Sequence, residues 1–442
     1  MKKQIAWTCL LALALMLLPT TLEARDIMAE IEQWNSDISA ANKEIKFTKM
    51  ATSPFIFYRA TNHLFWQDFA NDERLHQFGN SKTATWLQGD LHVENMGSFC
   101  TDEEDVIFDV NDFDETMVAD YQYDLWRLAV SVVLVAREHS YDEATTGQIV
   151  DTLTESYLDT LGSYCDNDDE EKIVYSVENT RGPVREFLEK VAKKKTRIKM
   201  LSKWTTDGRF NTTLEKLEAV DEIFKSSFEK AWPNYGKSLS GSLKFEKEKK
   251  YFKVKDVAKR LLAGTGSLGT PRYYILIEGK SKSLEDDRIL DMKRQSEPTA
   301  LSFIEEQAKV KSQNPAHRHC IGYDALTKDT DDHLGYVELA DGWYSIRERS
   351  PKKETYPSEE LSTAEHFMAL AKEWGKVVAT AHARADKDFE DEIIDYQFEK
   401  KVGKLTDGKI DEFKALVRQI ATDYASQVAV DWETFCQATG KR

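Results

Sequence analysis

The stretch Gln88-Gly-Asp-Leu-His-Val-Glu-Asn95 sets Asp90 and Asn95 five residues apart, behind the apolar run Thr85-Trp86-Leu87. A second β-prone run, Val106-Ile107-Phe108, then delivers Asp109, Asp112 and Asp114. Two strand ends that present Asp, Asn and Asp together supply what phosphoryl transfer asks for. One Asp orients an acceptor hydroxyl, while the Asn and a second Asp hold Mg²⁺ against the phosphates. Asn, Asp and Gly also favour turns, so a pair of acidic surface turns is the competing reading of these residues alone.

Behind the acidic burst, Asp124-Leu125-Trp126-Arg127-Leu128-Ala129 opens a helix whose apolar positions recur at helical spacing through Val132, Val133 and Ala136. The order Gly-Asp-x-His-x-x-Asn, Asp-Phe-Asp, then Tyr-Asp-Leu at a helix start resembles the catalytic half of kinase-like phosphotransferases, nearest in style to the aminoglycoside and choline kinase branch. The resemblance implies Asp90 as catalytic base, Asn95, Asp112 and Asp114 as the metal group, and Asp124 as a brace for the catalytic loop, with His92 in support. Those enzymes usually carry His two residues before the catalytic Asp. This chain has Gln88 there.

A second informative stretch is Gly264-Thr-Gly266-Ser267-Leu-Gly269-Thr-Pro271, followed by the β-prone run Tyr273 to Ile277. A lone Gly-x-Gly-x-x-Gly is weak, but in a dinucleotide fold it would open a helix. Here it joins two strands, as a kinase glycine-rich loop does over nucleotide phosphates. Gly264, Gly266, Ser267 and Gly269 are therefore the candidate contacts to ATP or another nucleotide. A third strand, Arg288 to Lys293, ends on a candidate phosphate-pairing Lys. The expected helix Thr299 to Lys309 offers Glu305 or Glu306 as the partner of Lys293, with Glu297 closer in sequence.

In ordinary kinases the glycine loop and Lys precede the catalytic loop, whereas here they follow it. The helix Ala364 to Ala385, ending Val377-Val-Ala-Thr-Ala-His382-Ala-Arg384, resembles the one that leads into the catalytic loop in aminoglycoside-kinase-like proteins. A circular permutation reconciles the two, and permutation costs little where termini lie close together at a surface. The joint set of motifs, with Phe108-Asp-Val-Asn-Asp-Phe-Asp-Glu-Thr116 and Ala381-His-Ala-Arg384, is similar to the bacterial domain of unknown function 2252 from about Phe57 to Asp388. That family is regarded as kinase-like and has no established substrate. Its Lys is usually followed by Glu-Ala, whereas this chain reads Lys293-Arg-Gln. Gly342-Trp-Tyr-Ser-Ile-Arg347 matches its Tyr-x-x-Arg strand. The implied fold is α+β, two-lobed and protein-kinase-like with permuted lobe order, working with Mg²⁺ or Mn²⁺.

The bulk properties bound this reading. A chain of 442 residues holds two or three lobes, and a net charge of −17 argues against a nucleic-acid partner. Met1 to Ala24 reads as a signal peptide cut after Ala24, which predicts a secreted or periplasmic protein without a membrane span after cleavage. The lobes are expected as a helical segment at 25–80, a catalytic-loop lobe at 81–240, a glycine-loop sheet at 241–350 and closing helices at 351–442. Cys100, Cys165, Cys320 and Cys436 are expected to form at least one disulfide in an oxidising compartment. Tyr58, Arg59 and His63 could approach a ligand, with a structural role the simpler reading. The acceptor substrate is not legible. A secreted pseudokinase is the alternative, because a periplasm is not supplied with ATP, and a two-metal phosphoesterase would need more His ligands than these loops offer.

Overall fold

The computed structural model describes residues 25–441 apart from residues 102, 246, 265, 267, 308, 309, 329 and 330. The expected signal segment and Ser267 thus lie outside the described residues. Helix Gln122–Glu138 is buried almost throughout, because Leu125, Leu128, Val132 and Ala136 are joined by Trp126, Val130 and Leu134 on its other faces. A helix that is apolar all round must be enclosed. It is packed by helices Glu143–Tyr164 and Ile410–Thr439, while Ala364–Arg384 lies along Glu143–Tyr164. Gly375 makes that approach possible, since a Cβ there would meet the backbone of Leu153.

Around this helical core sit two short antiparallel pairings. Strand Ala84–Leu87 pairs with Met117–Asp120, and Met96–Cys100 pairs with Val106–Val110. A larger six-stranded antiparallel sheet runs in the order Gly335–Leu339, Gly342–Glu348, Arg288–Arg294, Arg272–Ile277, Val254–Arg260, Leu217–Ala219. Strand periodicity of two assigns its faces. Leu290 and Met292 join Ile275, Ile277, Tyr344 and Ile346 in one apolar cluster with Phe228 and Trp232 of helix Glu222–Ser238. Asp291 and Lys293 alternate with them and so face the other side. The architecture is α+β, with antiparallel sheets and predominantly helical surroundings.

Three expectations change. The sheet reaches back before residue 241, because Leu217–Ala219 pairs with Val254–Arg260 and helix Glu222–Ser238 covers the apolar face. The helix expected over Thr299 to Lys309 is a single 3₁₀ turn, Thr299–Ser302. Beyond it Gln307 N donates to Val118 O at 3.1 Å and Glu306 accepts from Val118 N at 3.2 Å, so the segment runs beside strand Met117–Asp120. The expected disulfide is absent among the described residues, where Cys100, Cys165, Cys320 and Cys436 are thiols. Each belongs to a separate stretch of the fold: Cys320 reaches Gly335 O at 3.4 Å and Cys436 reaches Ala51 O at 3.9 Å. No helix among the described residues is long and apolar enough to cross a membrane.

A carboxylate cluster lies by the end of helix Ala364–Arg384, where Arg384 Nε donates to Glu170 O at 3.1 Å. Asp168, Glu170 and Asp388 converge, and Glu170 is 1% exposed. Burial, then Asp386, Asp388 and Asp168, push the Glu170 carboxyl up to about 7. A raised value means the folded state favours the protonated form. Its stabilising contribution is complete below the ordinary glutamate value of about 4.3 and is lost as pH rises through about 7. We expect the thermal midpoint in chelator to fall between about pH 5 and pH 8. Glu170→Gln should flatten that fall, measured by scanning calorimetry of both proteins across the range.

Candidate functional site

The turn after strand Ala84–Leu87 is built by backbone constraint. Gly89 has φ +83°, and a Cβ there would collide with the backbone of Glu115. The turn is then clamped from below. Asp124, 1% exposed, accepts from Gln88 N at 2.7 Å and Gly89 N at 2.9 Å, and His382 Nε2 lies 3.4 Å from it. Gln88, standing where the resembling enzymes carry His, links two loops: its Nε2 donates to Asp112 O and its Oε1 accepts from Asp90 N at 2.9 Å. Asn95 Nδ2 donates to Asp90 O at 3.0 Å, which closes the loop on itself.

Asp90 points into a cleft of about 260 Å³ with Asn95, Asp112, Asp114, Lys293 and Gly264 on its walls. Its Oδ1 accepts from Arg127 Nε at 2.8 Å and from Arg127 Nη2. Arg127 is fully buried, with its guanidinium 4.3 Å from the Tyr58 ring and 5.1 Å from the Phe65 ring. Burial raises the Asp90 carboxyl above the usual range, with Arg127 opposing it and Asp112 adding to it. Beside it burial, then the Asp90 charge, lift Glu115 to about 7. The Asp112 carboxylate makes no hydrogen bond or ion pair with any described residue.

The Lys293 expectation resolves differently from its sequence-derived form. Lys293 pairs with Asp114, whose other oxygen accepts from Gln295 Nε2 at 2.9 Å. His319 Nδ1 stands 3.5 Å from Asp114. Although burial opposes it, Lys293 and His319 hold the Asp114 carboxyl well below the usual carboxylate range. Glu305 is exposed and lies off the cleft walls, so its expected pairing with Lys293 is corrected. Glu306 instead pairs with Arg318, and Glu297 sits 3.7 Å from Arg318 while lining the cleft. In place of the expected helix the segment runs beside strand Met117–Asp120, and Glu306 meets Arg318 there.

Gly264 and Gly266 line the cleft, held by two lysines of helix Ala40–Met50: Lys49 Nζ donates to Gly264 O at 3.2 Å and Lys46 Nζ to Gly266 O at 3.3 Å. Gly269, at φ +94°, approaches Asn42 of the same helix. Burial lowers the Lys46 ammonium to about 8. Trp34 completes this wall, stacked on His63 at 4.6 Å. Arg59 pairs with Glu94 and donates to His92 Nε2 at 3.3 Å, so it is both ion-pair partner and cleft wall. Burial, then Arg59 and Arg127, keep His92 neutral.

Sequence reasoning missed Trp34, Lys46, Glu115 and Gln295. Gln295 was accessible to it, being two residues past Lys293 and hence on the same strand face. The others carry no signal without the fold. A second recess of about 360 Å³ shares Asp112, Asp114 and Lys293 with the cleft and adds Arg260, Arg347, Arg349 and Lys353.

The family described as uncharacterised proteins conserved in bacteria, domain of unknown function 2252, matches residues 40–438. The chain belongs to it. The match covers every residue that lines the cleft except Trp34. No curated protein and no solved structure matches the chain.

The Asp124 clamp is open to test by truncation. Asp124→Ala would strand two buried N–H groups and should cost on the order of 3 kcal/mol, read from denaturant unfolding. An Asn at 124 should recover only part of this loss, because it offers one acceptor where the carboxylate serves both.

Proposed function

We propose that the protein is a metal-dependent phosphotransferase of kinase-like, circularly permuted fold, acting from a nucleotide or related phosphoanhydride on a hydroxyl acceptor. The observation that carries this reading is the convergence of Asp90, Asn95, Asp112, Lys293 and the glycine loop on one cleft, from segments far apart in sequence. Permutation is supported by a specific contact. Thr85 Oγ1 donates to His382 O at 2.7 Å, so helix Ala364–Arg384 ends against the strand that leads into the Asp90 loop. Strands Val254–Arg260, Arg272–Ile277 and Arg288–Arg294 are consecutive neighbours, and Lys293 is in register with Arg272 where the strand after the glycine loop begins, which supports the reading.

The donor set suits Mg²⁺ or Mn²⁺, since Asn95 and the unpartnered Asp112 offer oxygen ligands. The metal would neutralise charge on the transferring phosphates. Asp90 would orient the acceptor hydroxyl and take its proton, Lys293 would meet phosphate oxygens, and Arg127 would hold Asp90 in place. The engagement of Asp90 by Arg127 also favours a second reading, a pseudokinase that binds the ligand without transfer. The N-terminal segment supports export in either case.

A panel of nucleotides with and without Mg²⁺ or Mn²⁺ tests the proposal by thermal shift and by transfer assay. A ligand at one hundred times its Kd should add about 2.7 kcal/mol of stability. Asp112→Asn should abolish the metal-dependent part while holding or raising metal-free stability. Asp90→Asn should keep ligand binding and lose transfer. Loss of stability in both variants with binding unchanged would reduce these carboxylates to structural partners.

A further inference from the structure

The second recess concentrates positive charge in a chain of net charge −17. Some of that charge is answered locally: Arg272 pairs with Asp291, Lys293 with Asp114 and Arg59 with Glu94. Arg260, Arg347, Arg349 and Lys353 have no ion-pair partner among the described residues. Their arrangement is nevertheless built. Arg260 Nε and Arg349 Nε donate to the same oxygen, Tyr274 Oη, at 3.3 and 3.1 Å. Both guanidinium groups stand over the Trp204 ring, at 5.2 and 5.4 Å. Arg347 is held opposite by Asn111 O at 3.3 Å and by the Phe113 and Tyr323 rings at 5.9 and 5.7 Å. Lys353 stands on the rim without a side-chain hydrogen bond to the described residues.

Arg260 and Arg349, like charges held side by side by a hydroxyl and aromatic faces, call for an anion, whereas Arg347 faces Asp291 across the strand pair. The crowding reaches neighbours as well, because the ammonium of Lys203 is lowered, first by partial burial and then by Arg349, Lys216, Lys195 and Arg260. A nucleobase pocket is largely apolar with a few placed polar groups. These walls offer guanidinium and ammonium groups in excess over carboxylates instead, and guanidinium planes stack on any base without selecting one. Guanidinium forks suit phosphate oxygens well.

We propose that this recess is an oligophosphate subsite, in which a run of contiguous phosphates lies along Arg260, Arg349, Arg347 and Lys353 and no base is read. The role of the terminal phosphate rests on the phosphotransfer reading. There the acceptor oxygen forms a bond to the terminal phosphorus as the bridging P–O bond breaks. The hydroxyl proton passes to Asp90, and the bridging oxygen leaves with the shortened chain. Inorganic polyphosphate and the tail of a nucleotide share this chemistry, and the test separates them.

Binding of tripolyphosphate, ATP, GTP and adenosine to the full chain, with Mg²⁺, is measured by calorimetry. Tripolyphosphate, ATP and GTP should bind within about threefold of one another, and adenosine should not bind. Arg349→Gln and, separately, the rim variant Lys353→Gln should each weaken all three phosphate ligands by about tenfold, with the unliganded thermal midpoint of Lys353→Gln unchanged. ATP binding more than about tenfold tighter than GTP and tripolyphosphate would overturn the proposal, as would adenosine binding or an unaffected Lys353→Gln. Asp112→Asn separates the two readings. If it leaves tripolyphosphate binding intact with and without metal while Lys353→Gln weakens it by about tenfold, the subsite stands and the metal-dependent transfer reading falls.

Discussion

An ammonium and a carboxylate withdrawn from water each carry a penalty of several kcal/mol unless they meet a partner. Lys293 and Asp114, with side chains 14% and 22% exposed, meet one another, and their pair ties the six-stranded sheet to the acidic loop. Neither residue is free to choose its place. Leu290 and Met292 pin strand Arg288–Arg294 to the apolar cluster behind it, so pleat alternation turns Lys293 toward the cleft. Asp114 follows hairpin Met96–Cys100 and Val106–Val110. The glycine loop then arrives with its strands, which are hydrogen-bonded in series to that of Lys293.

The same rule governs the helical side. Arg127 on the enclosed helix Gln122–Glu138 is tolerated because Asp90 and two aromatic rings receive its guanidinium. Three residues earlier, on the same face of the helix, Asp124 accepts the two N–H groups that the turn at Gly89 leaves over. One buried helix thus holds both the backbone and the carboxylate of the Asp90 loop. That places a charged pair next to the site, and among the described residues it leaves Asp112 as the carboxylate of the cleft whose oxygens remain for a ligand.

The positive recess departs from this balance. An acidic surface keeps a protein soluble, yet a low-dielectric concavity focuses the field of the few charges lining it. Net charge therefore argues against a nucleic-acid partner while saying nothing of what a single recess attracts. Tyr274 and Trp204 allow Arg260 and Arg349 to share one wall by giving each an acceptor and an aromatic face. The cation balance changes within one recess, from ion-paired at Arg272 and Lys293 to without an ion pair among the described residues at Arg347 and Lys353.

Local pattern alone determined a good deal here. Apolar runs before Gly89 and before Asp109 are strands, the all-round apolar stretch after Asp124 is a buried helix, and the glycines join two strands, because each is set by neighbours two to four residues away. That Asp90, Asn95, Asp112 and Lys293 share one cleft was legible as far as motif order allowed. What Lys293 pairs with was not. The stretch after Pro298 has helical composition, but its backbone pairs with Val118 and Glu306 turns to Arg318, leaving Asp114 as the partner of Lys293. Lys46, Trp34 and the arginines of the recess are likewise decided by tertiary contact. They come from helices and strands distant in sequence, and no periodicity along a chain records which separate faces will meet across a cavity.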